Sequence, residues 1–329
     1  MGRTSNLRPL IRIAVPPGAG RRSGNRISAT RWARLIKDLG YRAQVREGWA
    51  GEPADCLVVL HARRNARAVR AFRRAYPDRP LVVVLTGTDL YRDLRTHASA
   101  RHSLDLADRL VVLQSEGIEA LPPVFRDRAH VIYQSAQPLQ PAPTPRRRSF
   151  DIACVGHLRA VKDPLRAAMA SRALSKASRI QIISAGAAVT PALEARAKRE
   201  TERNPRYTWV GSLTPGDARR LIARSRVLVV SSLMEGGANV IANAVVDRTP
   251  VLASRVSGNI GMLGRDYPGY FDFGDTAALT ELLHRCERDH GFLRTLQARC
   301  DARRHHFMES TERKGFAKLL GSILAHPRE

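Results

Sequence analysis

Several residue types and motifs are scarce in this sequence of 329 residues. Its four cysteines are far apart and form no CxxC or zinc-like spacing, so a zinc site is not predicted. No apolar run approaches the roughly 18 residues that a membrane-spanning helix needs. Near the N-terminus, Arg12 interrupts a short apolar stretch, which therefore predicts a first strand rather than a signal peptide. Together these features predict a protein of the reducing cytoplasm, without a membrane span.

Lysine and aromatic residues are also scarce, whereas arginine is abundant. Six lysines accompany 49 arginines, and the formal net charge is +25. This charge indicates anionic partners (nucleic acid, a membrane surface or phosphorylated small molecules), unless a coding bias toward arginine has merely produced a solvated basic surface. Aromatic residues make up only 5% of the chain, and no helix-turn-helix, zinc or RNP-like motif is present. Nucleic-acid binding is therefore a remote alternative, and no nucleic-acid partner is expected.

Short apolar runs alternate with segments of helical periodicity along most of the chain. Continuous apolar strands between amphipathic helices are typical of βαβ units, whose parallel sheet is covered on both faces. We therefore predict an α/β protein in which two parallel sheets form in succession. The predicted strands are 11–15, 57–60, 81–85, 110–113, 131–133, 151–155, 180–183, 207–210, 227–230 and 250–253.

A proline-rich segment separates the two series of strands. Residues 136–149 contain four prolines and no apolar periodicity, which is typical of a semi-rigid linker. Ligands of such sheets bind at the carboxyl ends of the strands, and two such domains form a cleft in which ligand sites are common. The predicted parts are an N-terminal domain (1–140), a linker (141–149), a C-terminal domain (150–300) and a helix that can pack back on the N-terminal domain (301–329).

Small and polar residues follow three strand-like runs in the first half of the chain. The first run precedes PPGAG and Asn25, where glycine lets a backbone approach a ligand and a helix N-terminus attracts anions. The second precedes a histidine and two arginines, and the third a polar turn in which Thr88 or Asp89 is placed to cap the next helix. We predict a site at this edge, with an ordinary βα turn as the alternative for PPGAG. The residues concerned are Asn25, His61, Arg63, Arg64, Thr86, Gly87, Thr88, Asp89 and Arg92.

The second half of the chain contains a cationic turn, CVGHLRAVKDP, between a strand and a helix. Asp163 is predicted to cap that helix, with Pro164 in its first position. The cationic side chains before it then converge with a helix N-terminus, an arrangement that suits a diphosphate. These side chains are His157, Arg159 and Lys162.

The stretch SSLMEGGANVIANAVV places an acid and two glycines where a strand gives way to a helix. Glu235 lies at the strand end, and the amides of Gly236, Gly237 and Ala238 are expected to be exposed at the helix start. They are predicted to bind an anion or a hydroxyl. One polar face of the helix is formed by Asn239, Asn243 and Asp247.

These motifs resemble those of GT-B glycosyltransferases that use nucleotide sugars, of a GT4-like type. VGHLRAVK, MEGGANVIAN and PVLASRVSG match the turn, the acid–Gly–Gly element and the strand of that family's C-terminal domain. A narrower resemblance is to the selenosugar synthases of selenoneine biosynthesis. It is carried by LHARR, LVVVLTGTDLYRDL, LADRLVVLQ, YQSA, VGHLRAVKDP, MEGGA and PVLASRVSGNIGMLG. The resemblance implies two Rossmann-like domains that face a central cleft. It also implies that UDP-N-acetylglucosamine and selenophosphate yield a selenosugar, UDP and phosphate.

The resemblance also implies a role for each motif. His157 stands where the family has an arginine, and Asn243 stands where it has the second acid, which usually binds the ribose. The donor-binding residues are expected to be His157, Arg159, Lys162, Glu235, Gly236, Gly237, Ala238 and Asn243. The acceptor-binding residues are expected to be Asn25, Arg63, Arg64, Thr86, Gly87, Thr88 and Arg92. The candidates for catalysis are His61, Asp89 and Glu235.

Metal-independent catalysis is expected because no DxD pair occurs in the sequence. Lys162, Arg159 and the helix start at Gly236 are predicted to stabilise the leaving UDP instead. His61 or Asp89 is a candidate for activating the water that removes the phosphate. No cofactor is expected besides the substrates, and enzymes of selenoneine synthesis are possible partners. The main alternative is a conventional glycosyltransferase with a hydroxyl acceptor, which requires a general base.

Overall fold

The structure, a computed structural model, describes residues 8–20, 23–146 and 148–324. It contains two compact units: the chain up to Gln134 together with the segment from Ser310 forms unit 1, and Ser135–Glu309 forms unit 2. Each unit has its own parallel sheet of six strands, so the predicted fold class is confirmed. Residue 147 of the predicted linker and residues 325–329 of the predicted last segment lie outside the described residues.

Unit 1 is built on a parallel sheet with the strand order β2-β1-β3-β4-β5-β6. A π-helical turn, Asp89–Asp93, leads into its third helix. The elements are β1 (Leu10–Val15), α1 (Gly24–Asp38), β2 (Arg42–Glu47), β3 (Cys56–Leu60), α2 (Ala66–Ala75), β4 (Leu81–Leu85), α3 (Leu94–Thr96), α4 (Ala98–Asp105), β5 (Arg109–Val112), α5 (Glu116–Glu119), α6 (Pro123–Arg126) and β6 (Ala129–Val131).

Both faces of this sheet are covered, because successive side chains of a strand point to opposite sides. In β1, Ile11 and Ile13 join one buried cluster, while Ala14 joins the other. The last helix of the chain supplies Phe316 to the first cluster, where its ring lies 5.3 Å from that of Trp32. This helix, which lies far from the rest of unit 1 in the sequence, is therefore part of the core of unit 1.

Unit 2 repeats the architecture with the strand order β12-β11-β10-β7-β8-β9. Its elements, followed by the last helix of the chain, are β7 (Phe150–Val155), α7 (Arg166–Ser171), β8 (Ile180–Ala185), α8 (Pro191–Arg203), β9 (Tyr207–Trp209), α9 (Pro215–Arg224), β10 (Val227–Val230), α10 (Asn239–Val246), β11 (Val251–Ser254), α11 (Ser257–Leu263), β12 (Tyr270–Phe271), α12 (Thr276–Arg288), α13 (His290–Arg303) and α14 (Glu309–Leu324).

Two strands were not predicted, and both lie at the edge of a sheet. β2 reads RAQVRE, and Ala43 is its one buried residue. An edge strand can carry charged side chains because only one side of it is paired, so its sequence lacks the apolar run of a central strand. β12 has just two residues, too few to show a pattern.

All four cysteines are free thiols. Burial raises the pKa of Cys154 and of Cys286 to about 12, and that of Cys300 to about 11. Burial also raises the pKa of Cys56. These thiols are packing groups, because a buried thiol that stays protonated is a poor nucleophile.

Among the described residues, every helix falls short of the length and apolar character that crossing a bilayer requires.

Candidate active site

In unit 2 the order of the strands reverses between β7 and β10, and the turns that follow these two strands are bonded together. The N–H of Leu233 donates to the carbonyl of Val161 at 2.8 Å. The hydroxyl of Ser231 donates to the carbonyls of Lys162 at 3.1 Å and Asp163 at 2.8 Å. A reversal of this kind is where doubly wound sheets usually bind ligands.

Lys162 and Glu235 meet at this reversal. The ammonium group of Lys162 bonds to Oε1 of Glu235, and the hydroxyl of Ser232 donates to the same oxygen at 2.6 Å. The Lys162 side chain is 35% exposed and that of Glu235 is 8% exposed. Within the described part of the chain no hydrogen bond reaches Oε2 of Glu235, so this oxygen can accept one from a ligand. Ser232 was not among the predicted site residues.

A series of hydrogen bonds between buried polar groups links α11 and β11 to the loop that carries Glu235. The amide nitrogen of Asn259 donates to the carbonyl of Ser254 at 2.9 Å, and the Ser254 hydroxyl donates to the carbonyl of Ser232 at 2.5 Å. The start of α11 packs so closely that a Cβ on Gly258 would lie 1.8 Å from the Glu235 carbonyl oxygen. The position of Glu235 is thus fixed by β11 and α11 as well as by its own loop.

The acid–Gly–Gly segment differs in part from the prediction. Ala238 is buried, and its N–H donates to the sulfur of Met262 at 3.1 Å, so this amide is not open to a ligand as expected. Gly236 is buried as well, whereas Gly237 is half-buried. Asn239 opens α10, and Asn243 lies half-buried one turn later.

Asp247, predicted to share a polar face of the helix with the two asparagines, is bonded to other segments of unit 2. Its carboxylate is paired with Arg219 at 2.9 Å and accepts the N–H of Leu139 at 3.0 Å. It therefore holds α9 and the segment before β7, and it is only the C-cap residue of α10.

The predicted helix cap at Asp163 is wrong. Asp163 has a φ of 44° and ends the 3-10 turn Ala160–Lys162, while α7 begins only at Arg166. Its carboxylate accepts from Nε of Arg166 at 2.7 Å, and that guanidinium also donates to the carbonyl of Gly274. The cationic side chains therefore do not converge with a helix N-terminus. The Lys162 side chain nevertheless lies at the point where the strand order reverses.

The cationic turn contributes its three side chains unequally. Lys162 is bonded at the reversal point, His157 is half-buried, and Arg159 is exposed. Arg159 is thus accessible for an anion, whereas the position of Lys162 is already fixed by Glu235.

In unit 1, His61 follows β3 in the left-handed backbone region, with a φ of 75°. Such a conformation is uncommon for a residue other than glycine, and it occurs preferentially at functional sites. The backbone N–H of Arg64 donates to Nδ1 at 3.4 Å, and Nε2 lies 3.2 Å from the Thr88 hydroxyl. The ring is 8% exposed.

Asp89 is fully buried and accepts bonds from two loops. Its Oδ1 accepts the N–H groups of Thr86 at 2.8 Å and Gly87 at 3.0 Å, and its Oδ2 accepts that of Ala62 at 3.0 Å. Asp89 thus ties the turn after β4 to the turn after β3. Neither Asp89 nor Thr88 caps the following helical turn through its side chain, contrary to the prediction.

Asp93 lies one turn beyond Asp89 and was not predicted. It is fully buried, and its carboxylate lies 2.9 Å from Nε of Arg92, 3.5 Å from Nη1 of Arg63 and 4.0 Å from Nε2 of His61. The sequence did contain a signal, because an aspartate four residues after Asp89 lies on the same face of a helix.

The remaining predicted residues of unit 1 lie further along the same edge. Arg64 is exposed, and its guanidinium donates to the carbonyl of Pro17 at 2.7 Å, which links the turns after β1 and β3. Asn25 is half-buried in the first turn of α1, and within the described residues its side chain forms no hydrogen bond with His61 or its neighbours.

Within the residues that the structure describes, His, Cys, Asp and Glu side chains form no group of three that could hold a metal ion.

Part of the chain is similar to a known protein family. Residues 149–289, which contain the sheet of unit 2, match the family model described as glycosyl transferases group 1. No curated protein matches the sequence.

Solved structures resemble the chain over nearly its full length. HepE (Alr3699) of Anabaena, in complex with UDP and glucose, is 15% identical with a TM-score of 0.74, and the match covers 96% of this chain and 100% of that one. The sucrose-phosphate synthase of Thermosynechococcus elongatus is 16% identical with a TM-score of 0.75, covering 97% and 99%. The UDP-forming α,α-trehalose-phosphate synthase of Burkholderia xenovorans is 16% identical with a TM-score of 0.67, covering 91% and 78%. The fold is therefore the GT-B fold, as predicted.

Proposed function

We propose that the chain is a glycosyltransferase that takes its sugar from a UDP-sugar bound by unit 2. The observation that carries the proposal is the contact of Lys162 with Glu235 where the strand order reverses. The match of residues 149–289 to group 1 glycosyl transferases supports it, as does the similarity to structures described as UDP complexes or as UDP-forming.

Each donor residue has a role that follows from its contacts. Breaking the anomeric C–O bond leaves negative charge on UDP, and the Lys162 ammonium can stabilise it, since only one of its three protons is used by Glu235. Arg159 is exposed and can add a second cation. Oε2 of Glu235 accepts a hydroxyl of the sugar, and Asn243 is the candidate partner of the ribose.

We further propose that the acceptor is selenophosphate and the donor UDP-N-acetylglucosamine. This step rests on the narrower resemblance of the sequence and on the arginines at the edge of unit 1, because a guanidinium fork matches phosphate oxygens. Selenium attacks the anomeric carbon while the bond to UDP breaks, and the electron pair leaves with UDP. Water then cleaves the P–Se bond and gives the selenosugar and phosphate. A soft, deprotonated selenium needs little help from a base.

A hydroxyl acceptor is the second candidate. The observation in its favour is the position of the His61 ring, because Oδ2 of Asp89 lies 3.9 Å from Nδ1 and Oδ2 of Asp93 lies 4.0 Å from Nε2. Carboxylates so placed can stabilise the imidazolium that forms when the ring acts as a base and takes a hydroxyl proton. Asp89 is the weaker candidate for such a base, because both of its oxygens already accept backbone N–H groups.

Product analysis separates the two acceptors. The purified protein is incubated with UDP-N-acetylglucosamine, and in parallel with other UDP-sugars, together with either selenophosphate or a panel of alcohols and sugars. The products are examined by mass spectrometry. We expect a product with the selenium isotope pattern, in amounts equal to the UDP released. A product formed only with hydroxyl acceptors would select the conventional reaction, and no product with any UDP-sugar would refute both. Glu235→Gln is the matched control, and it should be inactive with every acceptor.

We also propose that the reaction needs no metal, since Lys162 and Arg159 supply positive charge at the predicted diphosphate position. The rate should be the same in EDTA and in magnesium. Loss of activity in EDTA that magnesium restores would contradict this part of the proposal, and it would leave the identity of the products unaffected.

A further inference from the structure

Asp93 and Asp89 are both fully buried, but their carboxylates are bonded very differently. Asp89 accepts three backbone N–H groups, from Ala62, Thr86 and Gly87. In Asp93, Oδ1 accepts from Nε of Arg92, whereas Oδ2 has no hydrogen bond in the described part of the chain. A buried carboxylate oxygen without a donor costs free energy, so its retention calls for a specific partner.

The neighbour that Oδ2 of Asp93 faces is His61. Nε2 of the ring lies 4.0 Å from this oxygen and 3.2 Å from the Thr88 hydroxyl. The other ring nitrogen, Nδ1, accepts the N–H of Arg64 at 3.4 Å and lies 3.9 Å from Oδ2 of Asp89. With Nδ1 as the acceptor, the proton of a neutral ring is on Nε2, the nitrogen nearer to Asp93. The carboxylate therefore attracts the proton-bearing side of the ring.

The other oxygen of Asp93 faces two arginines. Oδ1 lies 2.9 Å from Nε of Arg92 and 3.5 Å from Nη1 of Arg63. The two arginine side chains are 51% and 40% exposed, so each keeps guanidinium protons in reach of a ligand. One buried acid thus contacts a histidine on one side and two accessible cations on the other.

We propose that Asp93 is the positioning residue of the unit 1 site: it orients His61 through Oδ2 and holds Arg63 and Arg92 ready for an anionic acceptor through Oδ1. The assignment of an acceptor rests on the proposed function. Because the buried carboxylate already restrains Arg63 and Arg92, these side chains lose less conformational entropy when an anion binds. The carboxylate also favours the Nε2–H tautomer of His61. Asp89 is the structural counterpart, which holds the two loops together.

Nitrogen NMR of histidine tests whether Asp93 orients His61, and it needs no substrate. In the full-length protein labelled with ¹⁵N-histidine, the His61 signals are identified by their absence in His61→Gln. We expect the wild-type ring to show the Nε2–H tautomer. In Asp93→Asn the ¹⁵N shifts should move toward those of mixed tautomers. A wild-type ring in the Nδ1–H tautomer would overturn the proposal, as would unchanged His61 shifts in a folded Asp93→Asn protein.

Asp105→Asn is the matched control, because Asp105 is an exposed acid 3.9 Å from another histidine, His102. It should leave the His61 signals unchanged.

Steady-state kinetics with the acceptor test whether Asp93 holds Arg63 and Arg92 in place for an anion. Asp93→Asn should raise the KM for the anionic acceptor and lower kcat, together about 10- to 100-fold in kcat/KM, because misplacing a positioning group by an ångström has effects of this size. The KM for the UDP-sugar should stay constant. An equal loss for both substrates would indicate general damage and would refute the positioning role. If no acceptor reacts at all, the proposed function fails, and the NMR result still decides the role of Asp93.

Discussion

Glu235 depends for its orientation on one residue of its own loop and on one residue that lies far from it in the sequence. Lys162 and Ser232 both bond to its Oε1, so the carboxylate is held with Oε2 left for a ligand. The sequence identified the acid and the lysine separately, but only the folded chain makes them partners. A lysine in this position serves two groups, because it neutralises a nearly buried acid and keeps donors for a diphosphate.

Replacing Lys162 with methionine should reduce kcat/KM for the UDP-sugar by about 10²-fold, the usual size when a group that stabilises developing negative charge is removed. Steady-state kinetics with varied donor and varied acceptor measure this, and the KM for the acceptor should stay the same. Lys176→Met, at an exposed loop position of the same unit, is the control and should have no effect. Unchanged donor kinetics in Lys162→Met would remove Lys162 from the donor site.

Among the larger elements, arginines serve as ties between segments of backbone. Arg73 of α2 donates to the carbonyls of Pro77, Leu106 and Arg79, and Arg206 donates to those of Ser178 and Ser175. A planar guanidinium with five donors can serve several carbonyl groups at once, which a lysine cannot do in the same geometry. Some of the arginines therefore hold backbone segments together, in addition to contributing to the positive charge of the protein.

The start of α11 packs against the loop of Glu235 with no room for a side chain. A Cβ on Gly258 would lie 1.8 Å from the Glu235 carbonyl oxygen, so Gly258→Ala must displace one of the two elements. We expect unfolding free energy to fall by about 1–3 kcal/mol, as in other overpacked sites. The affinity for UDP should fall as well, because Lys162 is bonded to Glu235 and moves with it. Urea unfolding and binding of UDP, followed by calorimetry, measure the two effects.

Gly216→Ala is the matched control for this change. It lies in the first turn of α9 in the same unit, and its nearest contact for a new Cβ is the mobile end of Arg220 at 3.7 Å. Its stability and UDP binding should match the wild type. If Gly258→Ala kept wild-type stability and UDP binding, the loop of Glu235 would be able to move away from the new Cβ at no cost in free energy, contrary to the prediction.

At the scale of the whole molecule, the last helix of the chain belongs to the core of the first unit. Phe316, Leu319 and Leu320 are fully buried in the cluster that contains the first strand. Glu312 of the same helix accepts from the indole of Trp32 at 2.6 Å and from Arg31 at 2.9 Å. Unit 1 therefore cannot complete its core until residues 312–320 have been synthesised.

Phe316→Ala should lower the unfolding free energy of unit 1 by about 3–5 kcal/mol, the usual effect of truncating a buried phenylalanine. Urea unfolding followed by tryptophan fluorescence reports on it, since Trp32 packs against this ring. Phe273→Ala in unit 2, where the side chain is 41% exposed, should change stability by less than about 0.5 kcal/mol. Equal effects of the two substitutions would contradict the assignment of α14 to the core of unit 1.

Much of the fold was predictable because it depends on local pattern. The runs LVVL and LVVVL became β3 and β4, in which every residue is buried, since a central parallel strand needs apolar side chains on both faces. The acid–Gly–Gly motif and the cationic turn were also recognisable, because their residues are close in sequence.

Three outcomes depended on partners that no local pattern reveals. The N–H of Ala238, expected to be free for a ligand, donates to the sulfur of Met262. Asp163 ends a 3-10 turn instead of capping the start of a helix. Asp93, which was not predicted, lies beside His61. The sequence by itself determined the two parallel sheets and the residue types at the ends of their strands, because hydrophobic periodicity is local. Only the tertiary structure decided which polar groups are bonded to one another and which remain for a ligand, because burial and long-range hydrogen bonds exist only once the strands are side by side.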